Sequence, residues 1–413
     1  MKNVFFTLLY SSLFLNATAQ RPFIYKEYYD TINKAELAIV ELNFNEAYKI
    51  YVQVFERFEK RHLSDLHNAS LCAILDGEYS KAKEWICEMI KNGVELNALN
   101  TRYFKKLPDS VWVDIKQNYN FYRQIYLSQI DSSYVSILDS LRKREQNYIS
   151  QSKSQNTYDS LIYEHAKLLH TLISEKGISP VPIYDKRQYL PIDVLRHHFG
   201  LRNRLKFPDQ NNINLNTEPY RSMQFAQYDL EPLLLQAVFN GELSPHFLGM
   251  AMSHSELDST RQLGGFTLIV DLDTKTITYE STSKENLEQI DQYRKSIGLE
   301  SIHDAIKKDI DIALYYNYES FPFDEEIRRN KEIGYTKEAL KSIKVGTSEF
   351  RELSLKAVNV AADIRETFFR ENPMEIKQKL DEEKLIVDNK WTLLKEFHLS
   401  QNTTLKMIIP PSE

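Results

Sequence analysis

Two stretches of this 413-residue chain repeat one another at an offset of 35 residues, and that period constrains the fold more than any other feature. Ala35–Tyr51 aligns with Ser70–Ile86, so that Ala38 meets Ala73, Ile39 meets Ile74, Phe44 meets Tyr79, Ala47 meets Ala82 and Tyr51 meets Ile86. Each unit reads as two helices joined by a short turn. A small alanine lets the helices approach closely, and an aromatic plugs the turn. Such units bury their apolar faces only by stacking, and two are fewer than the three a stack needs. Helices over residues 110–129 and 132–150 are therefore expected to cap them. Pro108-Asp109-Ser110 reads as a helix start with Ser110 as its cap.

The pair resembles tetratricopeptide repeats, although its first helices lack the Trp and the Leu-Gly of that pattern. The resemblance implies that the partner is another protein, held by the helical repeat face. Composition agrees with a helical scaffold. Eleven glycines fall well short of the ~7% typical of proteins, which weighs against Gly-rich phosphate cradles and doubly wound nucleotide folds. The 21 Phe and 25 Tyr suit the filling of interhelical space. A net charge of −6 offers no basic field for nucleic acid.

Lys2, the apolar run Val4–Leu15 and Ala17-Thr18-Ala19 have the order of a signal peptide over residues 1–19, with cleavage before Gln20. About 12 apolar residues are too few to cross a ~30 Å hydrocarbon core, and no other apolar stretch is long enough. The mature chain is thus expected to be exported, to the periplasm or outside the cell, without a membrane span. An oxidising compartment gives Cys72 and Cys87 two readings. They could form one disulfide between neighbouring helices, or remain two buried thiols. The second is preferred, because one spacing does not establish facing geometry.

Beyond residue 130 the periodicity predicts helices over 158–175, around 193–199, over 228–240 and from Pro245 to Ser253. On the first, Leu161, Ile162, His165, Leu168, Leu169 and Leu172 form the buried stripe. Alternation over Phe266–Leu272 and Thr276–Glu280 predicts a hairpin at 266–280. The expected fold class is mainly α. Tetratricopeptide-like repeats (20–130) lead into an α-helical domain with one β-hairpin (131–310), then a C-terminal helical extension (311–413).

Residues 132–310 resemble an uncharacterised domain family of bacterial proteins, often exported, in which the domain can follow tetratricopeptide-like segments. Glu145-Gln146, His197 and Ile290–Leu299 carry the resemblance. The chain departs from the family where Glu145 stands for an Asp, at Ser253-His254-Ser255-Glu256, and near Leu263–Phe266. The family has no established activity, so the resemblance implies architecture.

The chemistry-bearing residues are few. Glu145 and His197 are the candidate catalytic pair, a carboxylate and an imidazole that would need hydrogen-bond reach to exchange a proton. Gln146 and Arg294 are the candidate binding residues. No His-Glu-x-x-His, Cys-x-x-Cys or Gly-x-Ser-x-Gly occurs, so neither a metal nor a cofactor is expected. The function expected first is an exported protein-interaction scaffold of the bacterial envelope; the alternative is an envelope hydrolase with a Glu/His acid–base pair.

Overall fold

The computed structural model describes residues 24–41, 43–99, 104–150, 154–178, 192–252, 267–271, 276–280, 284–302, 304–305, 308, 385–387, 391–400 and 403–409. The protein is mainly helical, with eleven α-helices among these residues. The first four are α1 (Lys26–Val40), α2 (Phe44–Arg57), α3 (Leu63–Leu75) and α4 (Tyr79–Lys91). Each packs on its neighbour in sequence, and α4 packs in turn on α5 (Asp109–Ser128).

The 35-residue period reappears in the backbone. Asn43 N–H donates to the carbonyl of Ala38 and Glu78 N–H to that of Ala73, both at 2.8 Å. Ala47 N–H donates to Asn43 and Ala82 N–H to Glu78, both at 3.0 Å. The alanines at 38, 47, 73 and 82 are all buried, because a methyl group is what fits where two helices cross. The turn aromatics differ: Phe44 is half-buried, whereas Tyr79 is exposed and plugs nothing. Helix α5 starts one residue before the expected cap. Pro108 occupies the N-cap position without a side-chain cap, and Ser110 lies inside the first turn.

The remaining helices are α6 (Ser132–Ser150), α7 (Gln155–Lys176), α8 (Ile192–Lys206), α9 (Glu231–Phe239), α10 (Pro245–Met252) and α11 (Lys284–Ser296). On α7 the buried stripe is Ile162, His165, Ala166, Leu169, Leu172 and Ile173, while Leu168 faces solvent. One apolar cluster runs from Tyr25 to Leu299, so α1–α4 and the helices of the middle region share a core. Tyr29 Oη donates to the carbonyl of Val238 at 2.8 Å, and Tyr25 N–H donates to that of Phe239 at 3.1 Å.

Cys72 and Cys87 are free thiols, both buried, so the possible bridge between them is not formed. Burial raises the Cys72 thiol well above its ordinary pKa, which leaves it a small hydrophobe.

Five strands have paired backbones: β1 (Thr267–Asp271), β2 (Thr276–Glu280), β3 (Leu385–Val387), β4 (Trp391–Ser400) and β5 (Thr403–Ile409), in the order β1-β2-β5-β4-β3. The last three lie in the segment expected as a C-terminal helical extension (311–413), after the last helix expected there, and give it strands as well. The segments Trp391–Leu399 and Thr403–Ile409 are rich in aromatic and β-branched residues around a short polar turn, a pattern that suits a pleated pair. The signal segment, His254, Gly264-Gly265 and the helices expected over 311–383 lie outside the described residues.

Candidate functional site

On α6, Tyr134, Leu138, Leu141 and Glu145 fall on one face and are all buried. Their spacing is that of a helix stripe, and Glu145 occupies a position where the pattern calls for an apolar residue. Helices α7 and α8 pack on α6 and on each other, and each aims a histidine at this carboxylate. Oε2 of Glu145 lies 2.8 Å from Nδ1 of His197, and Oε1 lies 3.4 Å from Nδ1 of His165.

Burial acts to raise the Glu145 pKa. Hydrogen bonds from His165 and His197, with the charge these rings can carry, outweigh it and hold the carboxyl below its ordinary value. An ionised carboxylate only accepts hydrogen bonds, so both rings present Nδ1–H to it. Nε2 of each ring is then the nitrogen left for other chemistry. In His165 that atom is buried without a partner among the described residues, whereas the His197 side chain is 30% exposed. The arrangement has one buried carboxylate, one buried ring and one accessible ring.

Aromatic residues line the accessible side. The Tyr158 ring meets His197 edge-on, with centroids 5.6 Å apart, and stacks on Tyr148 at 5.3 Å. Next to it, fully buried Asp159 accepts from Tyr220 Oη at 2.9 Å, from Gln155 at 2.8 Å and from Arg204 of α8. Burial and the nearby Glu145 carboxylate raise the Tyr158 pKa, so its hydroxyl stays a donor at any physiological pH.

The other expected site residues are placed differently. Gln146 is exposed beside buried Glu145, on a different face of α6. Arg294 is buried, its Nε donates to the Glu300 carbonyl at 2.8 Å, and its guanidinium lies 3.7 Å from the Glu300 carboxylate. It belongs to an internal ion cluster. His198, the neighbour of His197, is buried on another face, where Leu230 N–H donates to its Nε2 at 3.2 Å. The sequence reading missed His165 as a partner of Glu145, and it missed Asp159, Tyr158 and Arg204 altogether. Their signal was a set of polar residues at positions where the helix stripes call for apolar ones.

Among the described residues no group of three or more His, Cys, Asp and Glu side chains is arranged to hold a metal. Nor is any helix among them long and apolar enough to cross a membrane. No family model matches the chain, and neither does any curated protein or solved structure.

Proposed function

We propose that the protein is a hydrolase in which His197 is the general acid–base group and Glu145 holds it in the working tautomer. The 2.8 Å contact between Glu145 Oε2 and His197 Nδ1 carries this reading. With Nδ1–H given to the carboxylate, Nε2 offers its lone pair to water. Nε2 takes a proton as the water oxygen bonds to the substrate, Glu145 stabilises the imidazolium, and the same proton passes to the leaving group. His165 occupies the second carboxylate oxygen and fixes the orientation of Glu145. It is a positioning residue.

The test is turnover of a panel of chromogenic esters and phosphoesters by wild type, His197→Gln and Glu145→Gln. Loss of about 10²–10⁴-fold in both variants is expected on at least one substrate. Turnover equal to that of His197→Gln across the whole panel would overturn the reading.

A second reading is favoured by one observation. Val113, Phe121 and Leu127 on α5 are 52%, 64% and 44% exposed, more than large apolar side chains need be. With the repeated turns of α1–α4, this supports a tetratricopeptide-like scaffold that binds another protein. A defined partner that binds wild type and Phe121→Ser equally would argue against it. Residues 1–19 carry the proposal of export. Fractionation with N-terminal sequencing of the mature chain tests it, and a start at Gln20 is expected.

A further inference from the structure

The outward face of α5 differs in kind from that of α1, the helix at the other end of the same series. On α1 the exposed side chains are Lys26, Glu27, Asp30 and Lys34, all charged. On α5 every exposed residue between Val113 and Ser128 except Lys116 is uncharged. Val113, Phe121 and Leu127 supply apolar surface, with the amides of Gln117, Asn120 and Gln124 among them. The buried residues of α5, Ile115 and Tyr126, lie on the opposite side of the helix. Helix α4 packs on α5, whereas the next helix in the chain, α6, packs on α7 and α8. A stack of helices stays in solution alone when its last member has a polar outer face. Here that face is apolar and amide-rich.

The order of residues on this face points to what covers it. Val113, Asn120 and Leu127 are spaced by seven, so they form one line along the helix with the asparagine in the middle. Place a two-fold axis at Asn120 and run a second α5 antiparallel. Val113 then meets Leu127 of the second copy at both ends, and Asn120 meets its own copy. Lys116 faces Gln124, and the two lysines stand eight positions, ~12 Å, apart along the axis. A parallel pairing would instead set Lys116 against its own copy. The polar groups fit the same occupant. An amide carries both a donor and an acceptor, so a face of amides can satisfy a copy of itself, whereas charged groups would meet their like. One asparagine within an apolar seven-residue line also fixes the register of paired helices.

We propose that the protein forms a two-fold symmetric dimer through α5, antiparallel about Asn120. This rests on the second reading above, that α5 docks a protein, and it names that protein as a second copy of this chain. The same face serves on both copies, so the assembly closes at two. Three apolar side chains per copy make a contact smaller than that of an obligate dimer. The dimer therefore dissociates on dilution in the micromolar range, about 1–100 µM.

The experiment is sedimentation equilibrium of the full chain across that concentration range. Val113→Glu and Leu127→Lys each set a charge against an apolar side chain of the second copy, and each is expected to weaken dimerisation about 10-fold or more. The double variant Val113→Glu/Leu127→Lys is expected to return to within about 3-fold of wild type, because the introduced charges face each other across the axis. Within one helix the two positions are 14 residues, ~21 Å, apart and cannot pair, so recovery reports antiparallel contact between copies. Both positions are exposed, so the variants keep the monomer fold, which circular dichroism checks. A monomer throughout the range, a dimer indifferent to either single variant, or no recovery in the double variant would each overturn the proposal. A monomer that binds a different protein, and loses it with Phe121→Ser, would discard the dimer and keep the second reading.

Discussion

Lys308 extends its ammonium to within 2.5 Å of the Glu36 carboxylate, tying α1 to a residue 272 positions later in the chain. Both side chains are about 95% buried, and the Glu300 carboxylate, equally buried, lies 3.7 Å from the same ammonium. Removing the cation leaves two carboxylates in low dielectric with less compensation, although Glu300 retains Arg294 and His246. Lys308→Met is expected to lose about 3–5 kcal/mol in urea unfolding, and Glu36→Leu/Lys308→Met to lose less than the single variant. A single variant as stable as wild type would show that the cluster carries no stability.

Asp65 predicts a pH dependence of unusual sign for a carboxylate. It is buried, and burial together with the charge of Glu36 pushes its pKa up to about 7, even though Tyr28 Oη donates to it at 2.6 Å. Between pH ~4, near the unfolded value, and pH 7 the folded chain holds a proton that the unfolded chain has released. Stability from this group therefore falls as pH rises through that window, by up to about 1.4 kcal/mol per unit. Asp65→Asn is expected to flatten this slope, read from denaturant unfolding at pH 4, 5, 6 and 7. Parallel profiles for variant and wild type would refute it.

The contrast between these two clusters shows what the sequence made legible. Stripes such as Ile162, Leu169 and Leu172 are local, since their spacing alone marks a helix face. The repeat was visible for the same reason: Ala38/Ala73 and Ala47/Ala82 recur at one period. The pairing of Glu145 with His197 could be suspected from residue type but not shown, because 52 residues, the whole of α7 among them, separate the two. His165 looked like one more member of a buried stripe, and only packing reveals that it faces a carboxylate. Lys308 could not be matched to Glu36 at all. Surface lysines are common, and nothing local distinguishes a buried one. The strands of 385–409 were missed because a short alternating run reads ambiguously without its pairing partner.

Glu145 should behave in the opposite way to Asp65. Its folded pKa is lowered, so its contribution is fully present above the unfolded value near 4.5 and is lost as pH falls through the folded value. Glu145→Gln leaves one imidazole N–H facing an amide NH₂, and a loss of about 1–3 kcal/mol is expected at pH 7. The gap between wild type and variant should narrow only below pH 4.5. Denaturant unfolding of both proteins from pH 7 down to pH 3 checks this, and a gap that already closes between pH 7 and 5 would contradict it.

Two helix-ending glycines separate backbone cost from packing cost. Gly77 and Gly241 both adopt the left-handed region, with φ of 82° and 71°, where a side chain costs ~1–2 kcal/mol. Around Gly77 no atom lies within 4 Å of where a methyl group would go, whereas at Gly241 it would fall 2.4 Å from the Tyr25 ring. That ring is not free to swing away. It packs on Tyr28 and Phe58 at 5.4 and 5.1 Å, and its hydroxyl accepts from Lys60 N–H at 2.9 Å. Gly77→Ala should therefore cost about 1 kcal/mol and leave the structure unchanged. Gly241→Ala adds overpacking of roughly 1–3 kcal/mol to the same backbone term. It should also loosen the contact between α1 and α9, since Tyr25 N–H donates to Phe239 there. Thermal unfolding of the two variants, with amide exchange at Tyr25, measures both effects. Equal destabilisation would mean that the Tyr25 ring yields at no cost, and the rigid aromatic anchor inferred for the start of α1 would be wrong.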